Sequence, residues 1–291
     1  MTDFVNLIAK AESLLTRLEQ CMPHLPGETD WAASIAFRWR KRNGVGFIQP
    51  VSQPHRIFLK DLQDIDDQKK LIERNTRQFV QRLPANNVLL TGAHGTGKSS
   101  LVKAVLNKFA TKGLRLIEVE KHDLIDLPEI VEQICNRSER FLIFCDDLSF
   151  EAEEPGYKAL KVVLDGSIAA TSENVLIYAT SNRRHLMPEY MEENLVARHV
   201  GSEIHPGEAV EEKISLSERF GLWVSFYPFT QDEYLKIVDY WVAYLQADSK
   251  NIDMLHRAAL QWALTRGSRS GRVAWQFARD WAGQQQITGR S

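Results

Sequence analysis

Cysteine is scarce in this chain: of 291 residues only Cys21, Cys135 and Cys145 carry a thiol. The number is odd and no pair stands at short metal-ligand spacing, which argues against a disulfide framework and a zinc site and points to a reducing, cytoplasmic setting. Excess charge of one sign is equally lacking. Lys and Arg number 36 against 38 Asp and Glu, a net charge of -2, so no global field draws the chain to nucleic acid or anionic lipid, and any such binding needs a local patch. Long apolar runs are missing at the start, where Lys10, Glu12, Arg17 and Glu19 interrupt them and Asp3 stands where a signal peptide would be basic. Neither leader nor membrane span is expected. No repeat period and no low-complexity tract is visible, which disfavours solenoids and disordered tails.

What is present is globular composition, 44% hydrophobic and 25% charged, enough for one large α/β domain with a smaller appendage. Phe4, Leu7, Ile8, Ala11, Leu15 and Leu18 stand at helical spacing, so residues 3 to 21 read as an amphipathic helix ending before Pro23. Residues 34 to 61 read as a linker or irregular arm, with Gly44, Gly46, Pro50 and Pro54. Its basic run Arg38, Arg40, Lys41, Arg42 around Trp39 has the composition to stack on single-stranded nucleic acid, but in a chain without basic excess it better suits a solvated linker or intersubunit contact.

From about Ile57 to Pro228, apolar strands alternate with amphipathic helices, as in a parallel sheet covered on both faces. Strands are expected at 87–91, 115–119, 141–145, 175–180 and 222–227, with helices around 98–110, 127–136, 156–165 and 185–197. That is a five-stranded doubly wound α/β core. Beyond Pro228 three helical patterns follow, 231–245, 252–265 and 271–283. The organisation expected is an N-terminal helix and basic arm over 1–54, an α/β domain over 55–228 and a helical domain over 229–291. Trp223, Trp241, Trp262, Trp275 and Trp281 read as core packing, and His185, His199 and His205 show no helical metal spacing.

Gly92-Ala93-His94-Gly95-Thr96-Gly97-Lys98-Ser99 matches G-x-x-x-x-G-K-[ST] between a strand and a helix. Glycines let the chain wrap with its N–H groups inward, and the helix presents its positive end to the same anion. Gly92, Ala93, His94, Gly95, Thr96, Gly97, Lys98, Ser99 and Ser100 are therefore the expected nucleotide contacts, with Lys98 on the β and γ phosphates and Ser99 on Mg²⁺. An apolar strand ends in Asp146-Asp147. Asp146 is the expected metal-side ligand, and Asp147 stands where a carboxylate orients or deprotonates attacking water, although a helix cap or turn acid would look alike. Asn182 ends the next strand at the same sheet edge, suited to water and γ-phosphate or to an ordinary turn.

With Ser217-Glu218-Arg219-Phe220 added, the series resembles Walker A, Walker B, sensor 1 and the arginine-finger box of AAA+ ATPases, in that order. Asn86-Asn87-Val88-Leu89-Leu90, Ala179-Thr180-Ser181-Asn182-Arg183-Arg184-His185-Leu186 and the stretch from Glu212 to Leu222 resemble more closely a bacterial AAA+ family of unknown function (domain of unknown function 815), over about 55 to 285. The resemblance implies Arg219 as a finger reaching a neighbouring subunit's γ-phosphate, with a structural ion pair as the alternative. It implies Arg272 as the lid sensor, with Arg269 as its rival. It further implies Mg²⁺-dependent ATP hydrolysis, a homo-oligomer in a ring or open arc, and an unidentified protein or nucleic-acid client. One departure is that the family pattern is Asp-Glu where this chain has Asp146-Asp147, which points to slow or partner-stimulated turnover, or to an ATP-gated loader or adaptor with little hydrolysis of its own. A small-molecule kinase would share the phosphate loop but has little use for Arg219 or a lid bearing Arg272.

Overall fold

A computed structural model describes residues 10, 12, 13, 28–149, 154–165, 173–182, 198–200, 203–205, 217–247 and 251–288. The chain divides into two compact units, Met1–Asp30 and Trp31–Ser291. The helices expected over 3–21 and 185–197 lie outside the described residues apart from Lys10, Glu12 and Ser13, which are helical.

The larger unit begins with a correction. Residues 36–50 are no irregular arm: β1 (Ala36–Arg42) and β2 (Val45–Pro50) form an antiparallel hairpin, and β1 joins the main sheet in parallel to β4 (Leu114–Glu118). The reason is local. Phe37 and Trp39 are fully buried while Arg38 and Arg40, which alternate with them, reach solvent, the period-two alternation of a strand with one covered face. Asn43 and Gly44 make the two-residue turn, both at positive φ (51° and 80°), as a type I′ hairpin requires. The sheet therefore has seven strands where five were expected.

Its order is β2-β1-β4-β5-β6-β3-β9, with β3 (Val88–Gly92), β5 (Arg140–Cys145), β6 (Val175–Ser181) and β9 (Leu222–Phe226) parallel throughout. The five expected strands are all present, within a residue or two of their predicted limits. Strands buried on both faces carry alternate side chains into two cores. Val88, Leu90, Leu142, Phe144 and Tyr178 face one, with Leu101 and Val105 of α2 (Lys98–Phe109) and Ile72 of α1 (Asp66–Val80). Leu89, Ile143, Ile177 and Ala179 face the other, with Ile130 of α3 (Leu127–Ile134), Leu160 of α4 (Pro155–Asp165), and Trp39. A separate two-stranded pair joins β7 (Arg198–Val200) and β8 (Glu203–His205).

Three helices close the chain: α5 (Gln231–Tyr244), α6 (Asn251-capped Ile252–Arg266) and α7 (Gly271–Thr288). A Thr-x-x-Glu box starts α5, Thr230 and Glu233 each accepting the other's backbone N–H, and Gly267 ends α6 at φ 64°. Their apolar faces, including Tyr234, Val238, Ala259 and Phe277, continue the first core. Among the described residues no helix is long and apolar enough to cross a membrane.

Candidate functional site

Strand order decides what meets at the carboxyl edge. β6 lies between β3, which runs into the phosphate loop, and β5, which ends at Asp146-Asp147. The end of β6 is thus inserted between loop and acids, at the edge where open α/β sheets bind ligands.

The loop needs its glycines. Gly92 has φ 138°, and a Cβ there would lie 2.0 Å from the Phe226 carbonyl oxygen. Gly95 has φ 73° and would press its Cβ within 2.7 Å of Ser270 Oγ, while its own carbonyl accepts the Gly271 N–H at 2.9 Å. The start of α7 is therefore docked directly on the loop.

Lys98 is almost wholly buried. Its Nζ donates to the carbonyls of Gly92 (2.6 Å) and Ala93 (2.8 Å) and to Asn182 Oδ1 (2.9 Å). Burial lowers its pKa; Asp146 and Asp147 oppose that, and Arg272 reinforces it. Ser99 Oγ donates to Asp146 Oδ1 at 2.6 Å. Asn182 donates through Nδ2 to Asp147 Oδ1, and Asp147 stands at φ 54°, an uncommon conformation for a residue with a Cβ. Asp146 and Asp147 therefore lie at one end of β5 with different partners: a hydroxyl for the first, an amide for the second.

These groups line a cleft of about 710 Å³ together with His94, Gly95, Thr96, Gly97, Ser100 and Arg272. Arg269 lies elsewhere, on a separate pocket of about 820 Å³ with Leu264 and the outer side of the loop. Ala93 borders that second pocket and contributes its carbonyl to Thr96 Oγ1 as well as to Lys98. Arg219 is not part of the cleft wall; its Nε donates to Asp165 Oδ1, at the end of α4, at 2.5 Å.

Three of the four bases in the basic run have acidic partners. Arg38 pairs with Glu118, Arg40 with Glu120, and Lys41 with Asp126. Trp39 is buried and donates its Nε1–H to Asp126 at 2.9 Å. No aromatic face is offered there for stacking, which removes the basis for reading the run as a nucleic-acid platform.

Sequence reasoning missed the far wall of the cleft. His55, Arg56 and Ile57 approach from the segment after β2, and Trp241, Tyr244 and Trp275 from the closing helices. Trp241 and Trp275 pack edge to face at 4.7 Å and both border the cleft, while Trp241 also packs against the first core, so core packing does not account for their whole role. Helical periodicity identifies such residues as semi-buried without saying which cavity they border. Thr180, fully buried beside the acids, falls in the stretch that carries the resemblance but has no role there, because nothing in its own spacing points to the acids.

Among the described residues no three His, Cys, Asp or Glu side chains cluster to hold a metal. Ser99 Oγ and Asp146 Oδ1 are nonetheless two hard oxygen donors in contact. They fit a Mg²⁺ ion that takes its remaining ligands from phosphate and water.

Residues 32–285 match the family described as Protein of unknown function (DUF815). Over 149 residues the chain is 28% identical to the 26S proteasome regulatory subunit 4 homolog of Schizosaccharomyces pombe, covering 45% of this chain and 33% of that protein. Among solved structures, a mutant of Thermotoga maritima RuvB aligns at TM-score 0.50 with 13% identity, and the T. maritima RuvB Holliday junction branch migration motor at 0.49 with 15%. Each alignment covers 76% of this chain and 63% of the other. The chain thus spans about a third of the curated relative and under two thirds of these structures, and at such identities the likeness is one of fold.

Proposed function

The chain belongs to the DUF815 family of proteins of unknown function, whose match spans residues 32–285, and from that premise we propose that this AAA+ P-loop protein binds ATP with Mg²⁺ and hydrolyses it. The observation that carries the reading is the meeting of Lys98, Ser99, Asp146, Asp147 and Asn182 at one cleft, with Arg272 opposite. In this reading Lys98 exchanges the Gly92 and Ala93 carbonyls for β and γ phosphate oxygens, and the loop N–H groups and the start of α2 hold the rest of the anion. Bound Mg²⁺ neutralises charge on the phosphates. Ser99 and Asp146 would hold it, Asp147 orients the attacking water, and Asn182 spans water and γ-phosphate. Arg272 carries the response of the lid, residues 229–291, while Arg269 faces the other pocket.

The aromatic wall of Trp241, Tyr244 and Trp275 offers a surface on which a purine base can stack, and the choice of adenine follows the family resemblance. Arg219 pairs with Asp165 of its own chain, the structural alternative to a finger; a role at γ-phosphate would require another subunit, and the homo-oligomer, ring or arc, follows the family resemblance. The client, protein or nucleic acid, is reached through that assembly.

The Asn182–Asp147 bond favours a second reading, an ATP-gated loader or adaptor in which the acid is seldom free to act on water. Phosphate release in the steady state separates the two. The test of the main reading is nucleotide affinity, phosphate release and mass, measured with and without ATP and Mg²⁺ on the wild type and Lys98→Ala. The reading predicts tight binding, turnover and assembly in the first and loss of all three in the second. Wild-type protein that is folded yet binds no nucleotide overturns it.

A further inference from the structure

Three hydrogen bonds run from one residue, Thr180, to three consecutive residues of the neighbouring strand end. Its Oγ1 donates to Asp146 Oδ1 at 2.5 Å and accepts the Asp147 N–H at 2.8 Å, and its carbonyl accepts the Leu148 N–H at 2.6 Å. The side chain is almost fully buried. The parallel ladder between β5 and β6 has its last pair at Cys145 and Ala179. One step further, where Thr180 would face Asp146, the chain turns away through the positive φ of Asp147, and a hydroxyl takes over from the backbone ladder.

The polarity of this arrangement is determined by chemistry. An amide N–H can only donate, so the hydroxyl oxygen must accept it, and the single hydroxyl hydrogen is left for Asp146. Asp146 Oδ1 thereby receives two hydroxyls, from Thr180 on the sheet and from Ser99 on α2. Ser99 is the one that a cation would claim for itself. Thr180 remains, tying the carboxylate to the sheet, and the same oxygen holds Asp147 in a left-handed conformation that few residues with a Cβ adopt.

We propose that Thr180 is a positioning residue that orients both acids at once, Asp146 toward the cation and Asp147 toward water, while leaving nucleotide anchoring to the loop. This deepens the proposed ATPase reading and rests on it. Its signature is a split between metal-dependent and metal-independent behaviour. Thr180→Val removes the hydroxyl at nearly constant shape, and Thr180→Ser keeps the hydroxyl and removes the methyl.

The experiment measures ADP affinity in EDTA and in Mg²⁺, Mn²⁺ binding to the ADP complex by electron paramagnetic resonance, and phosphate release from ATP. Thr180→Val should bind ADP in EDTA within about threefold of wild type, yet lose about tenfold or more of the gain that the cation brings, as expected when a bond to a charged group is removed. Its phosphate release should fall about a hundredfold, the scale of a small misplacement of a catalytic group. Thr180→Ser should recover both within about threefold. If Thr180→Val does not fold, Thr180→Ala carries the same expectations. A full cation response in the valine or alanine variant overturns the proposal. So does an equal loss of affinity in EDTA, or a serine variant as impaired as the valine, because the role is then packing. Wild-type protein that binds no nucleotide overturns the ATPase reading itself, and that result is recognised before any variant is compared.

Discussion

At the scale of single residues, the two acids ending β5 have separate environments although they are neighbours in sequence. Asp146 collects hydroxyls from Ser99 and Thr180, whereas Asp147 faces Asn182. Asp147→Asn should therefore lower phosphate release by about a hundredfold or more, the contribution typical of a general base, and leave nucleotide affinity within about threefold. Turnover unaltered by the substitution removes Asp147 from the chemistry. Lys98 makes a second prediction. Burial holds its pKa below that of an ordinary lysine, so as pH rises the free site loses its positive charge earlier than an exposed lysine would. A bound polyphosphate favours the charged form, so ATP affinity should weaken through that alkaline range and binding should take up a proton there. Calorimetry in buffers of different ionisation enthalpy measures the uptake; affinity that stays level up to the range in which an exposed lysine titrates contradicts it. Most of this site was legible from the sequence because the loop is contiguous and its glycines announce positive φ. Thr180 and the aromatic wall were not, since their importance comes from neighbours 30 or more residues away: Thr180 to Asp146 spans 34.

At the scale of elements, the β1–β2 hairpin shows what local chemistry can hide. Asn43-Gly44 between alternating residues is a strong hairpin signal, but the prolines, glycines and basic run around it read as a linker. Once folded, the positive side chains lie beside Glu118, Glu120 and Asp126, which are 80 or more residues distant in sequence for the first two pairs. The hairpin is held by its buried aromatics rather than by those surface pairs. Trp39→Ala should cost about 3–5 kcal/mol, and Arg38→Ala or Arg40→Ala under about 1 kcal/mol each, as urea unfolding would measure. Comparable losses for the arginines and the tryptophan would reverse that assignment. The closing helices were the easiest elements to foresee, because a capping box, an Asn cap and a terminal glycine mark their ends in the sequence itself.

At the scale of the whole molecule, the two cores decide how stability responds to pH. Burial pushes the thiol of Cys145 from 9.0 up to about 12, and the phenols of Tyr178 and Tyr234 from 10.0 up to about 12. Each keeps its proton in the folded chain at a pH where the unfolded chain releases it, so their contribution is complete below pH 9 and is lost as pH climbs from 9 toward 12. Lys98 acts with the opposite sign, gaining stability for the fold as pH rises, while the Tyr240 phenol, raised by burial and by its bond to Asp61, adds to the losses. The unfolding free energy from urea titrations should therefore fall steadily above about pH 9. A flat or rising profile would mean that these groups are not sealed in the core. ATP with Mg²⁺ should raise the unfolding midpoint by mass action, more in the wild type than in Lys98→Ala.

The class of fold, its five central parallel strands, the three closing helices and the phosphate loop were determined by the sequence alone, because each depends on spacing within a short stretch: alternate apolar residues, helical periodicity, caps and glycines. Tertiary structure alone decided that the sheet extends to seven strands, that Arg272 and not Arg269 borders the cleft, and that Arg219 rests on Asp165. It also decided that one buried threonine joins both acids. Those outcomes depend on which strands lie side by side, and strand order is set by the burial of two faces across the entire chain rather than by any local run of residues.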